Sequence, residues 1–138
     1  MIKNKIKIFK SKISQNKKGD IIKYLSKNDR FFKKFGEVYF TEIKKGKTKG
    51  WNYHKKYTCL LTVPFGKVEF IFIENDIGKK KIITISKKNH SIICVPPKIW
   101  FCFKSLDKLS IVANVIDGVH NKKETIKLPI KEMTYRNG

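Results

Sequence analysis

Apolar residues fall along this chain in short clusters separated by turn-forming residues. Segments with strand character lie at 2–9 (IKNKIKIF), 37–43 (EVYFTEI), 57–63 (YTCLLTV), 67–74 (KVEFIFIE), 81–86 (KIITIS), 91–95 (SIICV), 99–103 (IWFCF) and 109–116 (LSIVANVI). Ile, Val, Phe, Tyr and Thr dominate them, and their branched or planar side chains pack well on a pleated surface. Between them stand KKGKTKG, PFG, ENDIGKK, KKNH, PPK and KSLDK, which are turn material. One short helix is expected at 26–34 (SKNDRFFKK), with Ser26 as its N-cap. Strands recurring at intervals of about 8–12 residues indicate a sandwich or barrel. The continuous apolar runs 70–73 and 92–95 need cover on both faces, which a jelly roll paired with a second subunit supplies. The expected fold is all-β, a double-sheet jelly roll in one domain over 1–138 and dimeric.

Composition narrows the class. With 138 residues, 41% of them hydrophobic and 12% aromatic, the chain can bury one core despite 31% charged residues. No apolar run approaches the roughly 20 residues of a membrane-spanning helix, so no membrane partner is expected. The opening MIKNKIKIFK alternates Lys with Ile and reads as a strand, not as the apolar core of a signal peptide. Cys59, Cys94 and Cys102 form no CxxC pair and are odd in number. That argues against a disulfide framework and for a reducing cytoplasm. Each sits in an apolar run, as a small buried hydrophobe does.

The net charge of +21 raises the question of a nucleic-acid partner. Every basic residue except Arg30 and Arg136 is Lys, however, and the lysines are spread along the whole chain. Bidentate recognition of bases and phosphates favours Arg. A dedicated nucleic-acid function is therefore not expected, although the charge attracts any polyanion, a nucleotide diphosphate included.

The chemistry concentrates in residues 49–58, KGWNYHKKYT. On an extended backbone Asn52 and His54 share one face, with Trp51 and Tyr53 opposite. His54 is a candidate base, or else a hydrogen-bonded interior histidine. An amide has no basic lone pair to take a proton from carbon, so Asn52 suits hydrogen bonding to a hydroxyl or a carbonyl. Trp51 and Tyr53 read as packing or dimer-contact residues. Trp100 and Phe101 fall on opposite faces of their strand, and either can line a pocket or fill the core. Lys55, Lys56 and the 79–81 run form a solvated face. His90 (KKNH) and His120 (DGVHNKK) lie in loops with nothing catalytic near them in sequence. No Ser or Cys has a recognisable base partner, and no GxSxG or Gly-rich phosphate loop is present.

The succession GEVYFTEIKKGKTKGWNYHKKYT, TVPFGKVEFIFIEND and VPPKIWFCF resembles the small cupins of the dTDP-4-dehydrorhamnose 3,5-epimerase family. It is similar also to their relatives, the dTDP-sugar 3,4-ketoisomerases, and the resemblance covers residues 15–117. It implies a cupin double-stranded β-helix, a cytoplasmic homodimer without a cofactor, and a nucleoside-diphosphate 4-keto-6-deoxy sugar as ligand in polysaccharide precursor synthesis. Against the epimerase pattern RGxHxQ, the base histidine falls on Asn52, a second pocket histidine on Phe101, a pocket lysine on Cys59 and the catalytic tyrosine near Ala113–Asn114. The ketoisomerase pattern RG-aromatic-His-x-His-KK keeps its second histidine as His54, followed by Lys55 and Lys56. Its strand resembling GEVYF places an aromatic hydroxyl at Tyr39. The resemblance thus implies His54 as base and Tyr39 as acid, with Lys49 where an arginine would hold the diphosphate. Asn52, Trp100, Phe101 and Asn114 are implied as substrate-binding. A cupin that binds a sugar nucleotide or glycan without chemistry is the alternative, and a Lys-rich nucleic-acid surface is a third reading.

Metal-binding cupins resemble HxHxxxE with a further histidine on a later strand. The matching positions here are Asn52, His54, Thr58 and Phe101, which leave one imidazole where a stable site uses three or four ligands. No metal is expected. Soaking the protein with zinc, iron or manganese should leave its melting temperature unchanged, and a rise of several degrees would overturn this.

Overall fold

A computed structural model of the chain describes residues 5–74 and 79–130. Its strands are β1 (Lys7–Lys10), β2 (Ile13–Ser14), β3 (Ile21–Ile22), β4 (Glu37–Lys44), β5 (Thr48–His54) and β6 (Cys59–Phe65). They continue with β7 (Val68–Glu74), β8 (Lys79–Ile85), β9 (Ser91–Val95), β10 (Trp100–Ser105), β11 (Leu109–Ile116) and β12 (Thr125–Lys127). Two five-stranded antiparallel sheets result, ordered β1-β9-β6-β11-β4 and β12-β5-β10-β7-β8, with β2 and β3 forming a separate ribbon. This is the expected all-β jelly roll. Part of the expected first strand, residues 2–4, lies outside the described residues.

Alternation within each strand builds the interior. Cys59, Leu61 and Val63 of β6 face Val68, Phe70 and Phe72 of β7 and Phe101 and Phe103 of β10 across the two sheets, in one buried cluster with Ile85, Ile93 and Val112. The four phenylalanines pack with ring centroids 5.7–6.4 Å apart. Aromatic bulk therefore fills the barrel from the β7 side.

The runs 70–73 and 92–95 find their second cover inside the chain itself. Behind the first sheet, Tyr24, Leu25, Phe31 and Phe32 pack on Leu60, Ile92, Cys94 and Val115. Behind the second, Leu128 and Ile130 pack with Trp51, Ile71, Ile73, Trp100 and Cys102.

That first cover explains why the helix expected at 26–34 does not form. The segment makes two consecutive turns, with the Asp29 and Phe32 amides donating to the Ser26 and Asp29 carbonyls at 3.0 Å each. The Ser26 hydroxyl accepts from the Asn28 amide at 3.2 Å, and the Asp29 carboxylate accepts from the Ser26 amide at 2.8 Å. So short a helix has little stability of its own, and docking Phe31 and Phe32 on the sheet decides the conformation.

β5 carries an irregularity that shapes the site. Asn52 pairs with Phe101 and Lys49 with Phe103, so three steps along β5 match two along β10. This bulge brings Lys49 and Asn52, an odd number of residues apart, onto the same face. Gly50 occupies the bulge at φ +132°. A Cβ there would lie 2.6 Å from Cβ and 2.8 Å from Cα of Cys102, and 2.9 Å from the Phe101 carbonyl oxygen. Gly50→Ala should destabilise the fold by about 2 kcal/mol or more, from backbone strain and overpacking together. Urea denaturation followed by tryptophan fluorescence checks this.

Candidate active site

Away from the phenylalanine-filled side, the barrel opens into a cavity of about 390 Å³. Tyr39 and Thr41 of β4 and Val112 and Asn114 of β11 form one wall. Lys49, Gly50, Asn52 and His54 of β5, with Phe101 and Phe103 of β10, form the other. His120, Thr125 and Lys127 close the side. A connected space of about 290 Å³ continues past His54 and Tyr39 to Glu37, Tyr57 and Glu124.

His54 is held firmly. Its Nδ1 lies 2.7 Å from Oε1 of Glu124, and the two side chains are 11% and 5% exposed. The other carboxylate oxygen of Glu124 accepts the Lys56 and Tyr57 amides at 3.0 and 2.9 Å, and the Thr125 hydroxyl donates to Oε1 at 3.1 Å. Burial by itself would raise the Glu124 pKa. The His54 hydrogen bond, the two amides and the charge of His54 together outweigh it and hold this carboxyl below the usual glutamate range. An ionised carboxylate only accepts, so Nδ1 donates its N–H to Glu124, and in the neutral tautomer this selects, Nε2 holds the lone pair. The rings of Tyr57 and Phe101 stack at 6.4 and 6.5 Å on the imidazole.

Tyr39 stands on the opposite wall. Burial raises its pKa, so the phenol keeps its proton at neutral pH. Asn114 donates its amide N–H to the phenolic oxygen at 3.1 Å, which leaves the Tyr39 O–H itself available to a ligand. Asn114 is 5% exposed, and its Oδ1 has no hydrogen-bond partner among the described residues. A buried acceptor in that state is costly unless a ligand or water meets it. Lys49 and Lys127 add positive charge, with Lys127 directly opposite Asn52 in the β12–β5 register.

Of the residues singled out from sequence, His54, Tyr39, Lys49, Asn52, Phe101 and Asn114 line this one cavity. Trp100 does not. It points behind the second sheet and packs on Tyr53 with centroids 4.8 Å apart. Trp51, 4% exposed, lies in the same rear cluster and donates its indole N–H to the Ile130 carbonyl at 3.2 Å.

His120, read as a loop residue with nothing catalytic near it in sequence, lies in a loop and lines the cavity. His90 lies in the turn before β9 and is buried there. It is 5% exposed, its Nε2 is hydrogen-bonded to the Lys23 carbonyl, and its Nδ1 sits 3.5 Å from the Thr62 hydroxyl. Glu124 and Lys127 were missed by sequence reasoning. The short alternation ETIK after the turn residues NKK was their only signal, and nothing local says that this segment adds to the edge of β5.

The three cysteines are free thiols. Burial pushes Cys59 and Cys102 up to about 12 and raises Cys94, so none is an activated nucleophile. Among the described residues no group of three or more His, Cys, Asp and Glu is placed to hold a metal ion.

A barrel of two antiparallel sheets, packed at one side and open at the other over a polar cavity, defines a cupin-type jelly roll. Solved structures share this architecture. A dTDP sugar isomerase from Desulfovibrio desulfuricans G20 superposes with a TM-score of 0.86 at 24% identity, over 90% of this chain and 83% of the other. A sugar 3,4-ketoisomerase from Thermoanaerobacterium thermosaccharolyticum, in complex with TDP, gives 0.77 at 18% identity, over 96% and 94%. A dTDP-6-deoxy-D-glucose-3,5-epimerase from Legionella pneumophila Philadelphia 1, in complex with dTDP-4-keto-L-rhamnose, gives 0.78 at 17% identity, over 91% and 73%. No family model and no curated protein matches the chain. Among the described residues no helix is long and apolar enough to cross a membrane.

The lowered Glu124 pKa sets a pH dependence with a definite sign. A carboxyl depressed in the folded state stabilises fully above its unfolded pKa, and that stability is lost as pH falls through the folded value. The melting-temperature gap between the wild type and Glu124→Gln should therefore be widest near neutral pH and close in acid. In long-range ¹H–¹⁵N spectra the neutral His54 ring should appear with its proton on Nδ1.

Proposed function

We propose that this chain is a cytoplasmic cupin isomerase of a nucleoside-diphosphate 4-keto-6-deoxy sugar, moving the carbonyl between C4 and C3 during polysaccharide precursor synthesis. The observation that carries the reading is the Glu124-oriented His54 in one cavity with Tyr39, whose O–H is left free by Asn114. The ketone at C4 acidifies the C3–H bond. His54 Nε2 takes the C3 proton while Tyr39 donates its proton to O4, giving an enediol. The enediol then loses its O3 proton to the Tyr39 phenolate and receives the proton carried by His54 at C4. The carbonyl has moved by one carbon, both side chains are restored, and no cofactor is consumed.

The remaining lining residues suit the same ligand. Lys49 and Lys127 offer charge to a diphosphate. Asn52 and the unpartnered Oδ1 of Asn114 offer contacts to sugar hydroxyls. The structural likeness to an isomerase and a ketoisomerase of this ligand class supports the reading. Epimerisation at C3 and C5 has less support, because Asn52 stands where the epimerase-like pattern keeps its base. Three free thiols fit a reducing compartment.

A homodimer formed through β4 belongs to the same proposal. β4 is an edge strand of its sheet, with Val38 and Phe40 47% and 67% exposed and Phe35 beside it 62% exposed. Long apolar edges of this kind invite pairing with another chain.

Incubation with dTDP-4-keto-6-deoxyglucose in deuterated water, followed by NMR, should show the C3 proton signal disappearing and a 3-keto product with deuterium at C4, taken up as the proton carried by His54 exchanges with solvent. The exchange should vanish in His54→Ala and slow by about 10- to 100-fold in Glu124→Gln. Measurable binding without exchange would replace this reading by that of a sugar-nucleotide-binding module. In sedimentation velocity the wild type should run as a dimer and Phe40→Glu as a monomer.

A further inference from the structure

A second cavity, of about 550 Å³, lies behind the first sheet and shares no lining residue with the barrel cavity. Four cations, Lys5, Lys7, Arg30 and Lys33, surround it, and the stacked rings of Phe9 and Phe31 line it with centroids 4.3 Å apart and planes at 22°. Lys7 and Phe9 share one face of β1, opposite Cys94 and Ile92 of β9. Arg30 and Lys33 come from the turns that replace the expected helix.

Among the described residues no Asp or Glu lines this hollow. Among the described residues none of its four cations takes part in an ion pair. Asp117 borders an adjoining small hollow beside Lys33, and its Oδ1 is occupied by the Thr58 amide at 2.8 Å. Four like charges around one concavity repel each other, and a bound anion relieves that repulsion. Arg30 is the one arginine among the described residues, and its planar fork matches phosphate oxygens in a way that lysine does not. A bare phosphate site has no use for aromatic walls, whereas a nucleobase gains by stacking on them.

We propose that this cavity binds a nucleoside polyphosphate, its base against Phe9 and Phe31 and its phosphates on Lys5, Lys7, Arg30 and Lys33. The site is independent of the barrel cavity and of the chemistry assigned there.

The test is a titration of the full-length ¹⁵N-labelled chain with ATP at about 0.15 M salt, where diffuse charge is largely screened. Amide signals of Lys7, Phe9, Phe31, Thr58 and Cys94 should shift and saturate. The exposed-charge variant Lys7→Glu/Arg30→Glu/Lys33→Glu should bind at least about tenfold more weakly. The control Lys79→Glu/Lys80→Glu/Lys81→Glu, with the same change in net charge on exposed β8, should lose less than about threefold. Phe9→Leu should weaken ATP but leave inorganic triphosphate unaffected. Shifts confined to the barrel cavity, an unsaturable response, or equal losses in the two charge variants would overturn the site. Inorganic triphosphate binding as tightly as ATP would overturn the nucleoside assignment.

Discussion

The carboxylate of Glu124 is the point on which the site depends. It takes hydrogen bonds from the His54 ring, from the amides of Lys56 and Tyr57 and from the Thr125 hydroxyl. Those bonds tie the segment after β11 to the end of β5. They fix the histidine tautomer and hold β12 against β5, so that Thr125 and Lys127 meet His54 and Asn52 across the ladder. Without this carboxylate the imidazole would lose its orientation and the side wall its anchor. One buried acceptor thus couples the stability of a sheet edge to the chemical readiness of a base.

The barrel is asymmetric for a reason of packing. Phe70, Phe72, Phe101 and Phe103 fill the space between the sheets on the β7 side. On the opposite side, β4, β11, β5 and β12 present Tyr39, Asn114, Asn52 and Lys127, none of which can close a dry core. The cavity follows from that change of residue type along the same architecture. The bulge at Gly50 completes it by turning Lys49 to the inside, where a regular strand would have turned it away.

Charge is distributed with the same economy. Among the described residues only Lys87 pairs with a carboxylate, that of Asp20 at 2.9 Å, apart from the His54–Glu124 contact. The surplus of lysine therefore stays available to solvent and to anions. Its concentration around two separate hollows is a property of the fold, not of composition, since the lysines are scattered along the sequence.

Eight of the strands and the inward face of Asn52 and His54 were legible in the sequence, because local propensity and alternation along a strand leave their mark in neighbouring residues. The resemblance in GEVYF and KGWNYH pointed to the jelly roll for the same reason. The short β2, β3 and β12 and the start of β5 at Thr48–Gly50, read as turn, were not legible. Other features were set by partners distant in sequence. Trp100 turned to the rear sheet face because Tyr53 and the 128–130 segment offer it cover. Residues 26–34 gave up a helix because the sheet behind them wanted Phe31 and Phe32. His120 and Glu124 reached the cavity because β12 found the free edge of β5. Periodicity records which way a side chain faces. Only the folded chain decides what it faces, since that depends on contacts between residues 70 and more positions apart.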